Sequence, residues 1–389
     1  MVAWLFGSLA RLLSPVLVIR LAPIKCRSFG NFLLEPELRI LEALEDSALS
    51  PRARKLDIFF CGSGAQGIEN SALRNLWSQE IFLTESRLVA SVWHNWAQSG
   101  RMKSHMNRSS CRCRDERNLW DKYESRMRLL PAQIEDVYNA LEELGVRRNQ
   151  RIALLHVRDT TYDQLMNAPE WSLDTYRNST PTNYQIAVDE LNNRGFAVVA
   201  IGNQGSWSRD LCDVVDYSGS AHRSELRDVS IGAVASLYLG SEAAPSNLPM
   251  IFRKPQLITN NVRIAELATS SQLKMHIFKE HRFEGRVLTQ SEIWESNLAD
   301  YKHDSDVIES ELELIENSPE DIRAGLLDLL ATVNSSESYL EMKSETQQRR
   351  FWAHFADGLK SRPEFVTGHG ELRAVVAPSF LRTKAEWTS

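Results

Sequence analysis

At 389 residues, 43% hydrophobic and 25% charged, the chain has the size and composition of a globular protein of two ordinary domains. Its net charge of −6 and pI near 5.9 exclude a general nucleic-acid-binding surface. The basic stretch Arg108–Arg117 and the pair Arg126 and Arg128 read as solvated faces. Five scattered cysteines, Cys26, Cys61, Cys111, Cys113 and Cys212, predict a reducing compartment and no disulfide framework, because the count is odd and no paired spacing appears. Cys111-Arg-Cys113 lacks a second pair at zinc-ligand spacing, and the glycosylation-like Asn178-Ser-Thr carries no meaning in a cytosolic chain.

In chain order, Val2–Leu13 is mostly apolar, is broken at Pro15 and is too short to span a bilayer. Two readings stand: an amphipathic helix resting on a membrane with Trp4, Leu5, Phe6, Leu9 and Leu12 on its apolar side, or a helix packed on its own domain. Val16–Leu21 predicts a strand, Gly30 a tight turn, and Glu35-Pro36-Glu37 the opening of a helix. Lys55–Cys61 predicts the next strand, Asn75–Ile81 a helix, and Trp77, Trp93 and Trp96 core filler. Gly100–Arg128, polar and without periodicity, predicts a mobile loop.

Pro131–Leu144 is helical by its apolar stripe and its closing Gly145, and a domain boundary is expected there. Strands then alternate with helices: Ile152–Val157, a helix over Asn183–Asn193, Phe196–Ile201, Val214–Tyr217, a helix over Val229–Ala235, Ser236–Leu239 and Gln256–Thr259. That alternation predicts a parallel, doubly wound α/β sheet. Asn317-Ser-Pro-Glu-Asp321 carries a capping box and a first-turn proline. The apolar Gly370–Leu381 is expected to pack.

Three strand ends converge in this reading. His156-Val-Arg158-Asp159, Gly202-Asn203 and Gly240-Ser241-Glu242 fall where open α/β sheets bind ligands, with Asp216-Tyr217 and Arg227-Asp228 between them. Arg158 is a forked donor suited to phosphate oxygens, and glycine at a strand end lets a ligand approach the backbone. Ser241 and Ser246 are candidate donors to a diphosphate. The alternative is an Arg–Asp ion pair that merely caps a strand.

HVRD in His156–Asp159, YRNS in Tyr176–Ser179, Asn183-Tyr184 and the later LYLGS and TNN runs resemble a bacterial glycosyltransferase family. That family is similar in pattern to fucosyltransferases with an HxR motif, including the nodulation enzyme and the protein O-fucosyltransferases. The resemblance is clearest over Ile152–Asn261. It implies a GT-B fold, two Rossmann-like doubly wound domains facing a cleft. Residues 1–145 would serve the acceptor side, 146–335 would bind the nucleotide sugar, and a helical tail at 336–389 would pack back across both.

It further implies that Arg158 contacts the donor β-phosphate and that the Asp228-to-Ser241 region closes the donor site. Gly30, Asn31, Tyr162, Arg177 and Asn178 join the substrate-contacting set. The chain departs from the family pattern at Gly30-Asn31, where Gly-His is expected, and at Glu242-Ala243, where small donors are usual. An asparagine cannot act as a base, so Glu35 and Asp159 become the candidates. Asp304-Ser-Asp306 matches a metal-binding DxD but follows no apolar strand, so it is read as a solvated loop with no metal expected.

The expected protein is a cytosolic, metal-independent glycosyltransferase with no cofactor beyond its nucleotide-sugar donor. Its acceptor would be a glycan, a lipid-linked sugar or a surface polysaccharide, at the inner face of a bacterial membrane. A nucleotide-sugar epimerase or hydrolase, and a non-catalytic sugar-nucleotide-binding or scaffold relative, are the rivals.

Overall fold

The computed structural model describes residues 2–49, 54–61, 70–100, 102–106, 114–160, 173–202, 207–296, 298–300, 302–333, 335–362, 365 and 368–388. Three parallel strands form the N-terminal sheet, β1 (Leu17–Ile24), β2 (Arg54–Cys61) and β3 (Phe82–Thr84), laid side by side in chain order. The C-terminal sheet begins with β4 (Arg151–His156), β5 (Phe196–Ala200), β6 (Val215–Asp216), β7 (Leu237–Ser241), β8 (Gln256–Asn261) and β9 (Lys274–Phe278). A small antiparallel sheet of β10 (Glu280–Phe283), β11 (Arg286–Val287) and β12 (Glu313–Ile315) follows, and β13 (Val375–Val376) returns to the large sheet. The order β13-β9-β8-β7-β4-β5-β6 is parallel throughout. The chain therefore winds outward from β4 through β5 and β6, then resumes on the other side of β4 at β7. The reversal leaves a crevice beyond the carboxyl ends of β4 and β7.

The packing follows the period of two along each buried strand. Ala153, Leu155 and Val157 enter one core with Val198, Leu237 and Leu239, under the helices Gln185–Asn193, Pro319–Val333 and Thr346–Ser361. Ile152 and Leu154 enter the other core with Val199, Tyr238 and Ile251. That second core continues into Ala22, Ile24, Phe32 and Trp77 of the N-terminal unit. The two α/β units thus face each other across the cleft of a GT-B-like fold while sharing one apolar layer. The helix Pro131–Glu143 lies against the helix Glu225–Val234, and Arg227 grips Asp136 through two 2.7 Å hydrogen bonds.

Several expectations need correcting. Cys26 and Cys61 are joined in a disulfide with Cα atoms 5.7 Å apart, although 35 residues separate them in sequence. The pairing of Ile24 with Cys61 across β1 and β2 brings them together, which no local spacing reveals, and it removes the cysteine argument for a reducing compartment. The segment read as a mobile loop is in part core: Leu119, Trp120 and Met127 are buried, and the Asp115 carboxylate accepts the Trp120 N–H at 2.8 Å. Within that segment, 107–113 lie outside the described residues. The DxD stretch is the first turn of a helix, Asp304–Glu309, rather than a loop.

The first helix of the cleft also starts earlier than expected. It runs Phe29–Leu49, with Pro36 in its interior. Proline has no N–H to give the carbonyl four residues back, which is Phe32. The buried Trp77 indole N–H donates to that carbonyl at 2.9 Å and fills the gap. Trp77→Phe should cost about 2–4 kcal/mol in a denaturant titration, from an orphaned buried carbonyl and lost volume. Adding Pro36→Ala, which restores the helix's own donor, should recover part of that loss. An unchanged deficit in the double variant would refute the link.

The apolar part of Gly370–Leu381 packs as expected, with Ala374, Val375, Val376, Ala377, Phe380 and Leu381 buried. Phe351, Phe355, Phe380 and Trp387 fill the core beneath β9 and β13, and Asn118 exchanges hydrogen bonds with the backbone of Glu371 at 2.7 and 2.8 Å. Among the described residues no helix is long and apolar enough to cross a membrane.

Candidate functional site

A cavity of about 490 Å³ occupies the crevice at the β4–β7 reversal. The C-terminal unit lines it with His156, Arg158, Asp159, Gly202, Tyr217, Arg223, Asp228 and the apolar Ile201, Ile231 and Leu248, and the N-terminal unit with Ser28, Phe29 and Asn70. Two helix starts open onto it, Phe29 of Phe29–Leu49 and Glu225 of Glu225–Val234, the latter capped by Ser224 accepting from the Arg227 N–H. The positive dipole ends at such positions favour a bound anion.

Arg158 is carried past the end of β4, and its backbone N–H donates to Ser241 Oγ at 3.2 Å, so the tips of β4 and β7 are tied. Its guanidinium pairs with Asp174, which Arg177 also holds at 2.7 Å. Arg177 donates in turn to the Glu242 carbonyl at 2.8 Å, and the Glu242 carboxylate lies 3.5 Å from Arg177 and 3.8 Å from Arg263. Burial pushes the Glu242 carboxyl up, but Arg177, Arg263 and Arg114 outweigh it and hold it at about 2. Among the described residues of this chain of contacts, three guanidiniums, Arg158, Arg177 and Arg263, meet two carboxylates, Asp174 and Glu242. Arg158 is the member on the cavity wall.

His156 lies beside it. Its Nδ1 is 3.0 Å from the Ile201 carbonyl, so Nδ1 carries the proton and donates, while burial lowers the ring's pKa to about 4. The ring is therefore neutral near pH 7 and presents Nε2 as an acceptor. Across the cavity, burial pushes the Asp228 carboxyl up against the pull of Arg223. Tyr217 donates its hydroxyl to Asp228 Oδ1 at 2.9 Å, and Arg223 Nε donates to Oδ2 at 2.9 Å. Glu225, also on the cavity wall, caps the helix Ser71–Trp77 by accepting from the N–H groups of Ser71 (2.8 Å) and Ala72 (3.3 Å).

Of the residues singled out from sequence, His156, Arg158, Asp159, Gly202, Tyr217 and Asp228 come together at this cavity. Others have different work. Ser241 is buried and spends its hydroxyl on Arg158, Ser179 and Tyr184, so it ties strands together rather than donating to a ligand. Ser246 turns its hydroxyl back to the Ala243 carbonyl at 2.8 Å. Asp216 accepts from Ser218 and from the Gly219 N–H. Glu35 is off the cavity wall, accepting the Lys25 N–H at 3.0 Å and facing Arg39 at 3.7 Å.

Gly30 is not a turn residue but sits in a helix, where a Cβ would come within 2.8 Å of Asn247 Nδ2 and 3.2 Å of Ala244 Cβ. It lets the two units approach closely. Asn31 and Asn178 do not line the cavity, and the Asn178 carbonyl accepts from Lys279 Nζ. Gly240 shapes the β7 end from beneath the cavity. Tyr162 and Asn203 lie outside the described residues. Asp304 caps the turn at Thr175–Arg177, accepting from Thr175 Oγ1 at 2.7 Å and the Tyr176 N–H at 2.9 Å, while Asp306 accepts the N–H groups of Lys302 and His303. Among the described residues no group of three or more His, Cys, Asp or Glu is placed to hold a metal ion.

Sequence reasoning missed Ser28, Phe29, Asn70, Arg223 and the Ala243–Pro245 wall. Asn70 and Ser224 precede their helices as ordinary N-cap residues, and that signal was available. Starting the second helix at Val229 instead of Glu225 hid Arg223, and the interior Pro36 hid Ser28.

No protein-family model matches the chain, and no curated protein does. Solved structures similar to it include Escherichia coli ADP-heptose LPS heptosyltransferase II, 10% identical with a TM-score of 0.44 over 82% of this chain and 100% of that one. A glycosyltransferase family 9 protein from Veillonella parvula is 10% identical with a TM-score of 0.43, over 76% of this chain and 97% of that one. The iron-containing heptosyltransferase TibC is 13% identical with a TM-score of 0.34, over 70% of this chain and 64% of that one. Likeness at this level carries no weight of its own.

Proposed function

We propose that the protein is a glycosyltransferase that moves a sugar from a nucleoside-diphosphate donor to a hydroxyl of a glycan, lipid-linked or surface-polysaccharide acceptor. The observation that carries this reading is the position of Arg158 and Arg223 on one cavity, at the strand reversal of a parallel sheet, with the second unit forming the opposite wall. A diphosphate leaving group needs fixed positive charge where its own charge grows. Arg158, Arg223 and the helix start at Phe29 supply it. The Ser28–Phe29 and Asn70 wall is assigned to the acceptor.

In the transfer, the acceptor oxygen bonds to the anomeric carbon as the carbon–oxygen bond to the diphosphate breaks, and the acceptor proton passes to a carboxylate. We assign that base to Asp159, on the cavity wall beside His156. Asp159 directly follows Arg158 in the chain, and Glu35 is outside the cavity. No metal is assigned a role, since Asp304 and Asp306 are engaged in backbone contacts. The resemblance to HxR fucosyltransferases belongs to the same reading, with Arg158 at the β-phosphate.

A panel of nucleotide sugars, incubated with and without lipid-linked or polysaccharide acceptor, tests this. Release of nucleoside diphosphate is expected to rise when acceptor is added and to persist in chelator. Sugar interconversion or hydrolysis without acceptor would instead identify an epimerase or hydrolase. Donor-dependent thermal stabilisation without turnover would identify a binding protein.

A further inference from the structure

The first helix, Val2–Leu13, presents two different faces. Ala3, Phe6 and Ala10 pack on Val92, Trp96 and Met102, the Trp96 indole N–H donates to the Ala3 carbonyl at 3.2 Å, and Gly7 lies against the same indole. That face is satisfied, and it includes Phe6, which the sequence reading had placed on the membrane side. The other face holds Trp4, Leu5, Leu9 and Leu12 with 72%, 53%, 51% and 77% of their surfaces exposed, continued by Val16 at 75%. Residues 4, 5, 9 and 12 recur at helical spacing, so their side chains form one apolar stripe rather than scattered exposures.

Charge decides what covers the stripe. The protein is net acidic, yet residues 1–34 contain Arg11, Arg20, Lys25 and Arg27 and no aspartate or glutamate. Residues 86–114, which include the helix Arg87–Ser99 packed against the first helix, contain Arg87, Arg101, Lys103, Arg108, Arg112 and Arg114 and again no acid. Arg20 pairs with Asp57 and Arg114 with Glu266; the side chains of Arg11, Arg87 and Lys103 are exposed. An apolar helical stripe with an amphipathic tryptophan, on a helix packed against the one that carries the exposed Arg87, matches the interface of an anionic bilayer.

We propose that this face docks the protein on anionic membranes, with Leu5, Leu9 and Leu12 entering the acyl boundary and Arg11, Arg87 and Lys103 meeting lipid phosphates. The docking does not depend on the transferase reading, because neither helix lines the cavity. The test is co-sedimentation of the full chain with vesicles of phosphatidylcholine alone and of phosphatidylcholine with phosphatidylglycerol. A parallel measurement uses the L5Q/L9Q/L12Q variant, whose melting temperature should match the parent because the three side chains are exposed.

Binding is expected only with the anionic vesicles, weakened by added salt and reduced at least about tenfold in the variant. Three results would overturn the proposal: no binding to either vesicle, undiminished binding by the variant, or a concentration-dependent dimer that the variant abolishes, which would assign the stripe to a second copy of the chain. Loss of acceptor-dependent turnover with vesicle binding intact would count against the transferase reading alone.

Discussion

Replacing Arg158 with alanine is expected to abolish stabilisation by nucleoside diphosphates and to lower acceptor-dependent transfer by about 10²–10³-fold, the usual cost of removing a fixed donor to developing charge. The fold should tolerate the change. Arg158 shares Asp174 with Arg177, so its removal leaves that carboxylate still paired. A ligand-free stability loss of no more than about 1 kcal/mol is therefore expected, far below the cost of stranding a buried charge. The readout is thermal shift against ADP, GDP, UDP, CDP and dTDP, with Arg158→Lys as the companion. Lysine keeps the charge but lacks the fork, and partial recovery is expected. An unchanged diphosphate-dependent shift in the alanine variant would remove Arg158 from the site.

The largest effect on stability is expected at Gly240. Its φ is +153°, and it pairs with His156 across β7 and β4 so closely that a Cβ would lie 2.0 Å from the His156 carbonyl oxygen. Alanine there must separate the two strands where the cavity opens. A loss of about 3–5 kcal/mol in denaturant unfolding follows from the overlap and the disfavoured φ together. Gly195 separates the two causes, since its φ is +81° and a Cβ there would meet nothing within 4 Å. Gly195→Ala should cost only about 1 kcal/mol. Equal losses at the two positions would show that backbone preference, not the strand contact, governs Gly240.

The two units share a continuous apolar layer through Phe32, Trp77, Leu154 and Tyr238, rather than meeting only at a polar cleft. Large apolar interfaces resist relative motion. Cleft closure here would have to come from local rearrangement around residues such as Gly30, where Ala244 and Asn247 already approach the helix closely. The Cys26–Cys61 bond lies just before Ser28 and Phe29 and anchors the same edge of the cleft.

What the sequence determined by itself was local. Short apolar runs alternating with helical stripes, and their punctuation, gave the parallel α/β class, the strands at Ile152, Phe196 and Gln256, and the box at Ser318 and Asp321, where the reciprocal bonds are present at 3.1 and 3.2 Å. It also gave the cluster of chemistry after β4, because a buried strand that ends abruptly in charge is visible within a few residues. Tertiary structure alone decided which of those groups share a cavity. Ser241 and Arg158 are 83 positions apart and in contact, Asp228 is joined there by Arg223, and Glu35 is turned toward Lys25 and Arg39. Pro36 within a helix, the paired cysteines and the two-faced first helix depend likewise on partners distant in the chain. Side-chain periodicity records which face of an element is buried, but not which other element buries it.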